Sequence, residues 1–233
     1  MKTAIILSIS LIICTLLSTA SCSVAGLGRP SIETPVISVP FSPDIVTISS
    51  DPNEVVVAAY KKFYTVRSYR CHQEMTMLKG LMIKGELEFV APDRRRRVQQ
   101  SENGKVEMII IGKDLYMGAD GKWSKMPIDA PDYTEIYNPQ EIDRAMGEVK
   151  TKFQYEVVGP DTIDGTPVIE YQTKPGGAKT SGVTSKIWVG TKDNLIYKTE
   201  VETDSDYGGN PHKNRVTDIY YDYNADIKIE PPM

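Results

Sequence analysis

The feature that most constrains the fold is a long series of short segments in which apolar and polar residues alternate. In residues 81–89, Ile83, Leu87 and Phe89 alternate with polar or charged side chains. A period of two is typical of a β-strand with one dry face. Turn sequences such as Asn103-Gly104 separate the segments and suit tight hairpins. We count about eleven such segments between residues 69 and 223, which predicts one large antiparallel sheet.

Two segments have helical periodicity instead. A helix is predicted over residues 51–66, with Asp51 as N-cap before Pro52, and a second over residues 138–150, with Asn138 before Pro139. A sheet with one dry face and only two helices must curl or be covered. The predicted fold class is therefore mainly β (α+β), a curved antiparallel half-barrel of about eleven strands covered by two or more helices. Periodicity leaves open whether its interior is packed or hollow.

The first 22 residues have the pattern of a bacterial lipoprotein signal. Lys2 precedes an apolar run from Ala4 to Leu17, and Thr19-Ala20-Ser21-Cys22 follows. This resembles a lipobox, in which the chain is cut before the cysteine and the cysteine carries the lipid. Thr19 departs from the leucine usual at that place. We expect residues 1–21 to be a signal peptide and Cys22 to be the lipidation site, which makes the protein extracytoplasmic and membrane-anchored.

Two alternatives to this anchor stay open. Ser23-Val24-Ala25 also offers small residues for ordinary secretory cleavage after Ala25, which would discard Cys22 and leave a soluble periplasmic or secreted protein. An uncleaved anchor is the other alternative, although the apolar run is short for a bilayer span.

Residues 22–50 are predicted to be a flexible tether rich in proline and serine. Its prolines are spaced so that neither a helix nor a central strand can persist. In extended form it could reach roughly 80 Å at about 3.1 Å per residue. Residues 51–233 then form a single domain.

The composition gives little support to catalysis. The formal net charge of −4 excludes a broad basic surface for nucleic acid. Neither His72 nor His212 has a neighbour at metal-ligand spacing, and no nucleophile–base set is indicated. Cys71, without a disulfide partner, is expected to be a small buried hydrophobe. We expect no catalytic residue, no metal and no cofactor.

Four consecutive arginines, residues 94–97, form the one marked charge cluster. In a strand they divide into two pairs on opposite faces. One interpretation is a solvated edge strand that resists aggregation. The other places one pair at the rim of a cavity, where guanidinium groups could bind phosphate or carboxylate headgroups.

The apolar residues expected on the inner face are rich in methionine, which adapts to irregular space and to variable apolar ligands. They either form an ordinary core or line an apolar cavity. The candidates are Met75, Met77, Ile83, Leu87, Phe89, Met108, Ile110, Leu115, Met117, Trp123 and Trp188.

The chain resembles the LolA-like and LppX/LprG-like extracytoplasmic lipoproteins over nearly all of residues 51–232. The stretches that carry the resemblance are Ile110–Met117, Lys122–Pro127, Ile187–Leu195 and Tyr221–Pro232. It implies an eleven-stranded half-barrel closed by helices, whose apolar cavity carries acyl chains of lipids or of lipoproteins between membranes. It implies no enzymatic activity.

Two functions are compatible with these features of the chain. The first is a lipid-binding or lipid-transfer lipoprotein, held at the membrane through its lipid anchor. The second is a non-catalytic lipoprotein with a packed half-barrel that binds or senses other envelope proteins.

Overall fold

The computed structural model describes residues 51–77, 80–127, 138–175, 182–207 and 210–232. The predicted signal peptide, Cys22 and the tether lie outside the described residues. The described chain forms two helices and one antiparallel sheet of eleven strands.

The elements follow in chain order. They are α1 (Pro52–Phe63), β1 (Ser68–Thr76), β2 (Met82–Val90), β3 (Arg94–Ser101), β4 (Gly104–Ile111), β5 (Asp114–Ala119), β6 (Lys122–Lys125), α2 (Pro139–Lys152), β7 (Tyr155–Ile163), β8 (Thr166–Thr173), β9 (Val183–Gly190), β10 (Ile196–Tyr207) and β11 (Asn210–Tyr221). Both helices and the strand number confirm the sequence prediction.

The strand order is β6-β5-β4-β3-β2-β1-β11-β10-β9-β8-β7. Every neighbouring pair but one is consecutive in the chain, as expected for hairpins joined by tight turns. The exception is β1 with β11, where Cys71 lies opposite Tyr220. The first and last strands therefore meet at the centre of the sheet, and its two edges are β6 and β7. This is the mainly β half-barrel that the sequence predicted.

Capping residues determine where the helices begin. The Asp51 carboxylate accepts a hydrogen bond from the Asn53 amide at 2.9 Å, and the Asn138 side chain accepts one from the Gln140 amide at 3.0 Å. Each satisfies a backbone donor that the helix leaves unpaired. Asn53 in turn accepts from the backbone amide of Tyr155 at 2.8 Å, which connects α1 to β7. α1 ends at Phe63, three residues earlier than predicted, because the chain there closes in a turn from Thr65 N–H to Lys62 C=O.

One face of the sheet, which we call the inner face, carries the helices. Val56 and Ala59 of α1 and Met146 of α2 are buried against it in a single apolar cluster, the helix-covered core. Aromatic rings fill its centre: the Phe63 ring lies 5.0 Å from the rings of both Tyr69 and Tyr220. The sheet contributes Tyr69, Cys71, Leu87, Phe89, Tyr155, Tyr171, Ile187, Val189 and Tyr220 to this core. Cys71 is fully buried in this core, as predicted.

The opposite, outer face is largely covered by ion pairs across neighbouring strands. Arg70 contacts Glu88 at 2.9 Å, and Lys84 contacts Glu74 at 2.9 Å. His72 lies on this face and is exposed. A small apolar patch interrupts the charges. There the chain after β11, residues 222–232, which we call the C-terminal segment, packs Ile227 and Ile229 on Ile109 and Tyr116. The C-terminal segment thus keeps part of the outer face dry.

Candidate ligand-binding face

Nine of the eleven candidate residues follow the inner-face alternation. The register places Ile83 opposite Met75 and Leu87 opposite Cys71. It also places Met117 opposite Met108 and Leu115 opposite Ile110. Phe89 is opposite Tyr69 within the helix-covered core, and Met77 takes the next position of the alternation after β1. The structure therefore brings these residues together on one surface that runs across β1, β2, β4 and β5.

Trp123 and Trp188 lie on the outer face, which corrects their predicted placement. Trp123 is opposite Gly118, one residue out of phase with Met117, and packs with the apolar patch under the C-terminal segment. The Trp188 indole donates a hydrogen bond to the Asp161 carboxylate at 2.9 Å. The Lys198 ammonium lies over the Trp188 ring, 4.1 Å from its centre. The residues around both tryptophans gave no clear alternation, so periodicity could not assign their face.

The inner face carries a second apolar cluster beside the helix-covered core. Ile110 and Leu115 form its buried centre, and Met108, Met117 and Met126 pack around them. We call it the methionine cluster. Met108 and Met117 are half-buried. This surface consists of flexible side chains that can change shape to fit an apolar group.

β3 runs between these two clusters and carries the four arginines. It pairs with β2 on one side and β4 on the other, so the interpretation as an edge strand is wrong. The predicted division into two pairs is confirmed. Arg94 and Arg96 lie on the outer side, where Arg96 contacts Glu107 at 3.1 Å. Arg95 and Arg97 lie on the inner face and are only 8% and 9% exposed.

Each inner arginine lies between the two apolar clusters. The Arg95 guanidinium lies 5.4 Å from the centre of the Phe89 ring, and Ile110 is opposite on β4. Arg97 is opposite Leu87 on one side and Met108 on the other. A positive group over an aromatic face is stabilised by the ring quadrupole.

A buried hydrogen-bond chain starts at Arg97 and crosses to β11. Its guanidinium donates to the Gln73 side-chain oxygen, and the Gln73 amide donates to the Asp218 carboxylate at 2.7 Å. The Tyr220 hydroxyl donates to the same carboxylate at 3.4 Å. Gln73 can cross β2 because its partner there, Gly85, has no side chain.

Burial raises the pKa of the Asp218 carboxyl from 3.8 to about 6, and the hydrogen bond from Gln73 and the charge of Arg97 oppose this rise. The sequence pattern did not single out Gln73. Only pairing of the first strand with the last could reveal that Gln73 meets Asp218.

Among the described residues, no group of three histidine, cysteine or carboxylate side chains is placed to hold a metal ion. Neither described helix is long and apolar enough to cross a membrane. The methionine cluster and the two buried arginines distinguish the inner face.

Two solved structures have a fold similar to that of this chain. LprF from Mycobacterium bovis has a TM-score of 0.53 and 14% identity, over 77% of this chain and 96% of that one. The lipoprotein LppX from Mycobacterium tuberculosis has a TM-score of 0.55 and 12% identity, over 78% of this chain and all of that one. No protein-family model matches the chain, and no curated protein matches it in sequence. These two likenesses show that the chain has the fold of LprF and LppX, which agrees with the LppX-like fold that its motifs predicted.

Proposed function

We propose that this protein is a membrane-anchored extracytoplasmic lipoprotein that binds acyl chains on its inner face and transfers them between membranes. The observation that supports this most is the methionine cluster. It lies on the same face as the helix-covered core but forms a separate group, with Met108 and Met117 half-buried. A surface of this kind gains free energy by covering an acyl chain, at about 25 cal/mol for each Å² of apolar area removed from water.

The chemistry of the inner face fits a ligand that varies in shape. Methionine is unbranched and has three rotatable side-chain bonds, so it can repack around chains of different length. The LolA-like fold supports the same function, since the resemblance of the sequence to this family implies acyl-chain carriage. The proposal requires binding and release, without catalysis.

The anchor is a separate part of the proposal. Cys22 would carry the lipid, and the tether of residues 22–50 would place the domain away from the membrane surface. The test is to express the full chain and the variant Cys22→Ser in a bacterial host and to fractionate the envelope. We expect the natural chain in the membrane fraction, with an acylated N-terminal cysteine by mass spectrometry, and the variant outside that fraction. A natural chain that begins at Gly26 would contradict the anchor and leave acyl binding to be judged separately.

Acyl binding is tested by mass spectrometry of organic extracts from the natively purified Cys22→Ser chain, which cannot be acylated at residue 22. Met108→Arg and Met117→Arg place a charge in the methionine cluster. Met82→Arg is the matched control, because Met82 is an exposed methionine on the outer side of β2.

We expect stoichiometric lipid in the parent protein and in the control, and its loss in both inner-face variants with unchanged near-UV circular dichroism. A protein that is free of lipid and also refuses added fatty acids would refute acyl binding. The function would then be the alternative, an envelope lipoprotein that binds or senses other proteins.

A further inference from the structure

The inner face places two buried guanidinium groups between its two apolar clusters. Arg95 and Arg97 alternate on β3 with the outward-facing Arg96, so both side chains project from the same side of the strand. Residues two apart in a strand are separated by about 6.4 to 6.8 Å, which lets two arginine side chains converge on one small anion. A guanidinium presents a planar fork of N–H donors that matches a carboxylate or phosphate.

The described inner-face residues of β1 to β5 and β11 carry a net positive charge. Arg95 and Arg97 are the cations, and Asp218 is the acid. Gln73 accepts a hydrogen bond from the Arg97 guanidinium and donates one to the Asp218 carboxylate. Gln73 therefore holds the Arg97 side chain in place through a hydrogen bond. It also stands between the Arg97 guanidinium and the Asp218 carboxylate.

The apolar neighbours define what else a ligand must have. Leu87 and Phe89 lie on one side of the arginine pair, and Met108 and Ile110 lie on the other. A small inorganic anion would contact the guanidinium groups and leave the methionine cluster without an occupant. A molecule with both an anionic head and an acyl chain would contact both.

We propose that Arg95 and Arg97 bind the anionic head of the ligand, a carboxylate or phosphate, while its acyl chain lies on the methionine cluster. This inference rests on the proposed function and names its ligand class: fatty acids or anionic lipids, in preference to neutral lipids. The specificity has a simple cause. A neutral ester or alcohol can accept a hydrogen bond from a guanidinium, but it has no charge to pair with it, so its interaction in a site shielded from water is weaker than that of a carboxylate or phosphate.

The experiment measures the affinity of the Cys22→Ser chain for matched pairs of ligands by isothermal titration calorimetry after delipidation. Oleate is compared with methyl oleate, which has the same chain and no charge. Lysophosphatidic acid is compared with monooleoylglycerol, which lacks only the phosphate. Inorganic phosphate is titrated separately, to distinguish a lipid head from a free anion.

Arg95→Gln and Arg97→Gln remove one charge each, and Arg96→Gln is the matched control because it lies on the outer side of the same strand. We expect each inner-face variant to lose at least about tenfold in affinity for oleate or lysophosphatidic acid, with methyl oleate unaffected. The control should bind as the parent does. If Arg97→Gln fails to fold, Arg95→Gln and the ligand pairs on the parent protein still decide the question.

Equal affinity of the parent for charged and neutral members of both pairs would overturn the inference and leave acyl binding intact. Unchanged oleate affinity in a folded Arg95→Gln protein would also overturn it. Binding of inorganic phosphate without binding of oleate or lysophosphatidic acid would indicate a free-anion site and refute it. If none of the four lipids binds, the proposed function itself fails.

Discussion

The buried carboxyl of Asp218 predicts an unusual dependence of stability on pH. Its pKa is about 6 in the folded protein and 3.8 in its ordinary state, chiefly because burial disfavours the charged form. The groups that face it are the Gln73 amide and the Cys71 thiol from β1, the Arg97 guanidinium from β3 and the Tyr220 hydroxyl from β11. Arg97 and the hydrogen bonds favour the carboxylate, but they do not fully compensate for burial.

The sign follows from proton linkage. Between pH 3.8 and about 6 the folded protein holds a proton on Asp218 that the unfolded chain has lost. The contribution of this group to stability is therefore full below pH 3.8 and is lost as the pH rises through about 6. The difference between the two pKa values corresponds to about 3 kcal/mol in the free energy of unfolding.

The perturbation is Asp218→Asn, which resembles the protonated carboxyl in shape and cannot ionise. Urea unfolding of parent and variant, measured from about pH 3.5 to about pH 7.5, gives the difference between their free energies of unfolding. We expect this difference to change by about 3 kcal/mol in favour of the variant as the pH rises. The pH dependence due to the other titrating groups is common to both proteins, so it cancels in this difference.

The control is Asp114, a carboxyl whose pKa is shifted in the direction opposite to that of Asp218. The pKa of Asp114 is lowered, chiefly by its hydrogen bond with Lys125, so Asp114→Asn should change relative stability in the reverse direction. Parallel stability curves for the parent and Asp218→Asn would refute the reasoning. They would show that the carboxyl titrates alike in the folded and unfolded protein.

Three further changes test the packing that positions the inner and outer faces, each by urea unfolding. Phe63→Ala should lower the free energy of unfolding by about 3 to 5 kcal/mol, because its ring is 8% exposed at the centre of the helix-covered core. Ile229→Ala should lower it by about 2 to 4 kcal/mol, because this residue is 2% exposed and covers the apolar patch of the outer face. Asp51→Ala should cost about 1 kcal/mol through loss of the cap of α1.

A shared control for these three variants is Val157→Ala. Val157 is 53% exposed on the edge strand β7, so its truncation should change the free energy of unfolding by less than about 0.5 kcal/mol. An Ile229→Ala protein as stable as this control would contradict the role assigned to the C-terminal segment. A Phe63→Ala protein with the stability of the parent would contradict the packing of α1 on the inner face.

Local rules allowed most of the fold to be predicted. The starts of both helices depend on a cap and a proline within a few residues, as at Asp51 and Asn138. The face of a side chain in a strand depends on parity, so Met108, Ile110, Leu115 and Met117 were assigned correctly from alternation alone. The same parity placed Arg95 and Arg97 on one face and Arg94 and Arg96 on the other.

By itself, then, the sequence determined the eleven strands, the two helices and the methionine-rich surface, because each depends on neighbours within a few residues. Tertiary structure decided that β3 is internal, that Trp123 and Trp188 face outward, and that Gln73 contacts Asp218 from 145 positions away. It also placed Arg95 and Arg97 between two apolar clusters. The physical reason is that strand pairing and burial depend on which distant segments meet, and periodicity carries no information about that meeting.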